Sequence, residues 1–245
     1  MVDDAAVLSA EAQAHLADLH GDDRWDADLQ AGTLTFTSPT GVATACRAQL
    51  IGTAAPGPAS WMWGWNNVNG FPDAVLVAAG KVRRVEGVPE LTTAQLPLDD
   101  ELPYRLALAA KLVNRSWTHY SAPVAGGTRI WFLVEHPSFD LPAPSVPRVA
   151  RSISEAIGTT TVADHRRAVT SYAALRGIPL AEGGASLALT VSDGSLLVGF
   201  DDLGRIAKVS GSMGGGAGTG TTSGTPAPVT AADGERRRGW FGRRR

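Results

Sequence analysis

The sequence predicts an α+β fold: antiparallel sheet or sheets with helices packed on them, then a disordered C-terminal tail. Three observations lead there. Apolar residues recur at three- and four-residue steps in some segments and at alternate positions in others. Gly-containing turns separate the alternating segments at hairpin spacing. After Ser210 the composition changes to Gly, Thr, Ala, Ser and Pro, with almost nothing to bury.

Taken in order, residues 4–20 read as a helix, with Leu8, Ala12, His15, Leu16 and Leu19 on one face and Gly21-Asp22-Asp23 as its stop. Trp25, Ala27 and Leu29 alternate with Asp26, Asp28 and Gln30, and Leu34 and Phe36 alternate with threonines. These two segments form a half-buried hairpin turning near Ala31-Gly32. A third strand runs from Val42 to Gly52. The strand Trp61-Met62-Trp63-Gly64-Trp65 follows Pro56-Gly57-Pro58. A helix is expected from Phe71 to about Arg84, with proline tolerated in its first turn, and another from Leu98-Asp99-Asp100 to Asn114. Trp117–Val124 and Thr128–Glu135 form a hairpin around Gly126-Gly127. Four prolines make residues 137–147 an irregular connection.

Val146–Ile157 and Thr161–Arg176 read as helices, the second with Thr161 and Asp164 at capping-box spacing and Gly177 as its stop. Ser186–Val191, Ser195–Phe200 and Arg205–Ser210 form a three-stranded meander. Residues 1–135 thus form an α+β unit, and residues 136–210 a helix pair plus meander, separate from it or part of the same domain. Helix, strand, Gly turn, strand recurs in both halves. Two similar tandem units would produce that order, and so would the common use of Asp-Gly at hairpin turns.

Residues 211–234 read as a disordered linker and residues 235–245 as a basic-aromatic tail. The tail holds Arg236, Arg237, Arg238, Trp240, Phe241, Arg243, Arg244 and Arg245. Six arginines against Glu235 give it +5, so the net charge of −2 leaves residues 1–234 at −7. An acidic body argues against a nucleic-acid grip by the folded part. The tail is expected to contact an anionic membrane surface or an acidic protein partner, with nucleic acid a weaker expectation. No apolar run spans a membrane and no signal segment opens the chain, so a cytoplasmic location, peripheral at the membrane, is the default.

Chemistry is less legible. Alternation puts Trp61, Trp63 and Trp65 in one aromatic row, which can seal a core or floor a pocket. In the pocket reading the indoles stack on a ligand, and Asn66, Asn67 and Asn69 supply amide hydrogen bonds at its rim. Cys46, the lone cysteine, reads as a small buried hydrophobe in a strand. The chain has no H-E-x-x-H, C-x-x-C or calcium-loop spacing, no G-x-S-x-G elbow and no phosphate loop, so no metal or cofactor is expected. The first expectation is a non-enzymatic binding or adaptor protein. The alternative is a small-molecule enzyme, possibly a hydrolase, using an aromatic cleft at the tryptophan strand, with Asp26, Asp28 or His119 as its nameable acid-base groups.

Trp25-Asp26-Ala27-Asp28, Gly32-Thr33-Leu34-Thr35-Phe36, Ile51-Gly52-Thr53 and Ser60-Trp61-Met62-Trp63-Gly64-Trp65-Asn66-Asn67 together resemble a family of uncharacterised bacterial proteins, a domain of unknown function. The resemblance covers roughly residues 10–135. It implies the domain and carries no activity.

Overall fold

The computed structural model describes residues 1–214 of the 245. The expected disordered linker and basic-aromatic tail lie outside those residues, apart from the linker's first positions. In chain order the elements are α1 (Val2–His20), β1 (Arg24–Asp28), β2 (Thr33–Thr37), β3 (Ala43–Ala55), β4 (Ser60–Trp63), α2 (Val77–Arg83), α3 (Pro89–Thr92), β5 (Gln95–Pro97), α4 (Leu102–Asn114), β6 (His119–Pro123) and β7 (Arg129–Glu135). There follow α5 (Val146–Thr159), α6 (His165–Arg176), β8 (Leu180–Gly183), β9 (Ser186–Val191), β10 (Gly194–Phe200) and β11 (Ile206–Met213).

The fold is α+β with two antiparallel sheets. The first has seven strands and is organised on β3, whose thirteen residues pair with β2, β4 and β7. The second is a four-stranded meander, β11-β10-β9-β8. Residues 1–213 form one compact unit.

Helix α1 explains that unity. Its apolar residues Ala6, Val7 and Leu8 join a core with α5, α6 and the second sheet, whereas Leu16 belongs to a core on the first sheet. It lies beside α6 in the same direction: Asp4 pairs with Arg167 at 2.7 Å, and further along Glu11 lies 3.0 Å from Arg176. Asp3 accepts hydrogen bonds from the backbone of Ala163 and Asp164, near the start of α6. The opening helix of the first half therefore packs on the helix pair of the second.

Several sequence expectations shift by a turn or less. The third tryptophan is not on the strand: β4 ends at Trp63, and Gly64–Asn66 form a 3-10 turn. A Cβ on Gly64 would sit 2.8 Å from the Leu50 carbonyl oxygen, so the chain passes β3 too closely for any other residue. The helix expected from Phe71 begins as a 3-10 turn at Asp73–Val75, with α2 proper starting at Val77. The cap of α6 is Asp164 itself, whose side chain accepts from the Arg167 backbone, so Thr161 lies outside the helix. The strands β5 and β8 and the single-turn helix α3 were not expected.

The linker also starts later than its composition suggests. Gly211, Ser212 and Met213 continue β11, paired with Leu196, Ser195 and Gly194. Gly211 is needed there, because a Cβ would press on Val146 of α5.

Candidate functional site

The tryptophan strand forms the core of the first sheet. Trp61 and Trp63 are fully buried, with ring centroids 5.4 Å apart and edge to face. Trp131 of β7 closes on Trp61 at 6.2 Å. The Trp61 ring lies across Gly52, where a Cβ would collide with it. The Ile51-Gly52-Thr53 and Ser60–Asn67 pieces are therefore two sides of one packing arrangement. Trp63 donates through its indole nitrogen to the Glu90 carbonyl at 2.8 Å. Trp65 is half-buried, with the Arg83 guanidinium 4.6 Å above its ring. Asn67 adopts a left-handed conformation, φ 42°, and its amide binds both the N–H and the carbonyl of Phe71. Asn66 and Asn69 are exposed. The structure thus packs Trp61 and Trp63 inside, gives Asn67 internal partners, and leaves Trp65 half-buried beside the exposed Asn66 and Asn69.

The acid-base candidates are not brought together. Asp26 is exposed on β1, an edge strand. Asp28 accepts from the backbone of Gln30 and Ala31 and so holds the hairpin turn. His119 is buried in β6, stacked on Trp131 with ring centroids 5.4 Å apart. Burial first, and the Lys111 charge second, push its pKa well below the ordinary histidine value. Cys46 is buried too, and burial raises its thiol to about 11, which leaves no reactive thiolate.

Lys111 is the feature with no counterpart in the sequence reading. It is fully buried on α4, donating to Ser9 Oγ at 2.6 Å and Gln13 Oε1 at 3.2 Å, both on α1. Burial lowers its pKa far below the usual lysine value. The same Gln13 amide accepts from the His119 N–H and donates to the His119 carbonyl, so it extends the ladder of β6 with a side chain. Two residues along α1, Glu11 faces the other way, buried, with the Tyr172 hydroxyl donating to it at 2.9 Å. Its charge pushes the Tyr172 hydroxyl pKa upward, in addition to the larger effect of burial. One helix thus carries a buried polar grip on each side.

An open concavity lies elsewhere, at the junction of the two halves. A cleft of about 640 Å³ is lined by Leu8 and Ala12 of α1, the Arg115–Thr118 loop, the residues that follow β7, and Leu175 and Arg176 of α6. That volume suits a small organic ligand. Two of its three arginines are held by carboxylates: Arg47 by Glu135 at 3.2 Å, and Arg176 by Glu11. Arg176 Nη2 also donates to the Pro142 carbonyl, which ties the proline-rich connection to the cleft wall. His136 is fixed by Ser138, whose hydroxyl lies 2.7 Å from its Nδ1.

Arg115 differs from the other two. It caps the C-terminus of α4 in a left-handed conformation, φ 54°, where glycine is favoured. A side chain there costs about 1–2 kcal/mol. Its guanidinium is exposed, with no described carboxylate holding it. Next to it Ser116 is buried, and among the described residues its Oγ, closed off from solvent, has no hydrogen-bond partner. Trp117 follows, half-buried and lining the same cleft. The sequence places the end of this helix at Asn114, but nothing local marks the Arg-Ser-Trp that follows as a cleft wall, because the facing residues come from α1, α6 and the segment after β7.

Among the described residues no group of three His, Cys, Asp or Glu side chains is arranged to hold a metal, and no helix is long and apolar enough to cross a membrane. Searches of curated proteins and of solved structures give no match. A model of a family of unknown function, DUF6882, matches residues 1–137, from α1 through the end of the seven-stranded sheet. The chain belongs to that family.

Proposed function

We propose that this chain is a binding or adaptor protein that acts without catalysis and takes its ligand in the cleft lined by the Arg115–Thr118 loop. The observation that carries this reading is the loop itself: an exposed arginine with no carboxylate partner among the described residues and a half-buried indole, two residues apart in sequence, on the wall of the cleft. The tryptophan strand supports the fold of this site. In the same reading the arginine-rich end, residues 235–245, brings the protein to an anionic surface or an acidic partner. Each arginine near an anionic bilayer contributes about 1 kcal/mol.

A fragment screen on isotope-labelled protein tests the body, read at the indole N–H signals. Fragments that bind are expected to move the Trp117 signal and leave those of Trp61 and Trp63 in place. Fragments that move Trp61 and Trp63 while Trp117 stays still would return the site to the tryptophan strand. Sedimentation with phosphatidylserine vesicles tests the tail: loss of binding on deletion of residues 235–245 is expected, and unchanged binding refutes its role.

A further inference from the structure

Among the described residues, most of the charges lining the cleft are paired. Arg47 and Glu135 satisfy each other on the rim, both largely exposed. Arg176 is bound from beneath by Glu11, which is fully buried. Arg115 and Asp140 remain, both exposed and neither in a described ion pair. Arg115 is also the better placed to act as a receptor. Its backbone N–H and that of Ser116 both donate to the Lys111 carbonyl, so the loop is pinned to the last turn of α4. Asn114, just before it, donates to the carbonyls of Ala78 and Ala110, which fixes that turn against α2. The pinned backbone spares the loop its own ordering cost on binding, leaving the Arg115 side-chain rotamers to be fixed.

We infer that the cleft is a carboxylate-binding site: Arg115 holds the carboxylate of a planar organic monoacid, with the Trp117 indole against its ring. This rests on the reading of the cleft as the ligand site. A guanidinium presents two parallel N–H donors that match the two oxygens of a carboxylate. Trp117 offers a flat apolar face immediately beyond. Asp140 sets the charge of the ligand, because a second negative charge in the same cleft disfavours dianions more than monoanions. A carboxylate is therefore favoured over a phosphate monoester on the same ring.

Benzoate, benzamide and phenyl phosphate, titrated into the full chain at low ionic strength and followed at the Trp117 indole signal, test this. Benzoate is expected to bind about ten-fold or more tightly than benzamide, its neutral isostere, because a charge-assisted pair is lost in the amide. Phenyl phosphate is expected to fall between the two. Arg115→Gln should abolish the preference for benzoate while leaving benzamide binding unchanged. Arg115→Gly, which relieves the left-handed backbone, should bind no better than Arg115→Gln while unfolding at a higher temperature than the parent. Equal binding of benzoate and benzamide, with Trp117 still responding, overturns the carboxylate inference and leaves the cleft as a ring-binding site. No response of Trp117 to any of the three overturns both.

Discussion

Replacing Glu11 with alanine is expected to lower stability by about 3–5 kcal/mol, the penalty for stranding a buried charge. Glu11 has no exposure, and its removal leaves the Tyr172 hydroxyl and the Arg176 guanidinium without their acceptor. Tyr172 is itself fully buried, and the Arg176 side chain is only 15% exposed. Arg176 Nε lies 3.0 Å from Glu11 Oε2 without hydrogen-bond alignment, while its Nη2 donates to Oε1 at 3.2 Å and also to the Pro142 carbonyl, so Glu11 supplies the countercharge and Pro142 only a neutral acceptor. In a unit of this size each kcal/mol moves the melting temperature by roughly 2–4 °C, so calorimetry should show a fall on the order of 10 °C. The double substitution Glu11→Leu with Arg176→Met removes both charges and should recover most of the loss. Equal damage from the single and double variants would show that the pair is not coupled.

Lys111→Met has the opposite expected sign. An amine with no exposure, held by a hydroxyl and an amide oxygen with no carboxylate bonded to it, folds only by giving up its hydration. Methionine fills similar volume without that cost, which outweighs the loss of the Ser9 hydroxyl's partner, and a net gain of about 1 kcal/mol at neutral pH is expected. Gln13 keeps its bonds to His119, so the grip of α1 on β6 survives. The pH dependence follows from the same depressed values. The folded pKa of Lys111 lies below the unfolded one, so at pH values between them the unfolded state binds the extra proton and stability rises with pH. His119 behaves alike in acid: as pH falls below the ordinary histidine range, the unfolded chain takes up a proton that the buried ring refuses, and stability is lost. Denaturant titrations from pH 5 to pH 10 should show stability rising across both windows in the parent. In Lys111→Met the alkaline rise should disappear and the acid loss should become shallower, because the lysine charge no longer opposes protonation of His119. A flat parent profile, or a destabilised variant, contradicts this account.

Much of the fold is legible in the residues because local periodicity carries it. Leu34 and Phe36 alternate with threonines and are buried as that alternation requires. Asp193-Gly194 marks a turn, although its second duty is invisible in sequence: Asp193 Oδ1 accepts from the Val146 backbone at the first turn of α5. The strand β8, Leu-Ala-Glu-Gly, has neither β-branched residues nor alternation and exists because β9 offers it a partner. Gly211 reads as linker by composition and is in fact a contact glycine against Val146. The tryptophan row shows how far periodicity reaches. It places Trp61 and Trp63 together, but Trp65 departs because the constraint on Gly64 comes from Leu50, fourteen residues earlier. The cleft lay beyond that horizon altogether. Leu8, Arg115, Asp140 and Arg176 meet only after both halves have docked on α1, and no window of sequence contains them.

That docking is the claim on which the rest stands: α1 binds one half through Glu11 and the other through Ser9 and Gln13, and the cleft exists because both hold. Native-state hydrogen exchange in increasing denaturant measures it directly. Amides inside α1, in β3 and in β10 are expected to open in one step with the same free energy, as a single cooperative unit. If β10 opens at a markedly lower free energy while α1 and β3 stay protected, the halves are independent and the cleft is not a fixed feature of the protein.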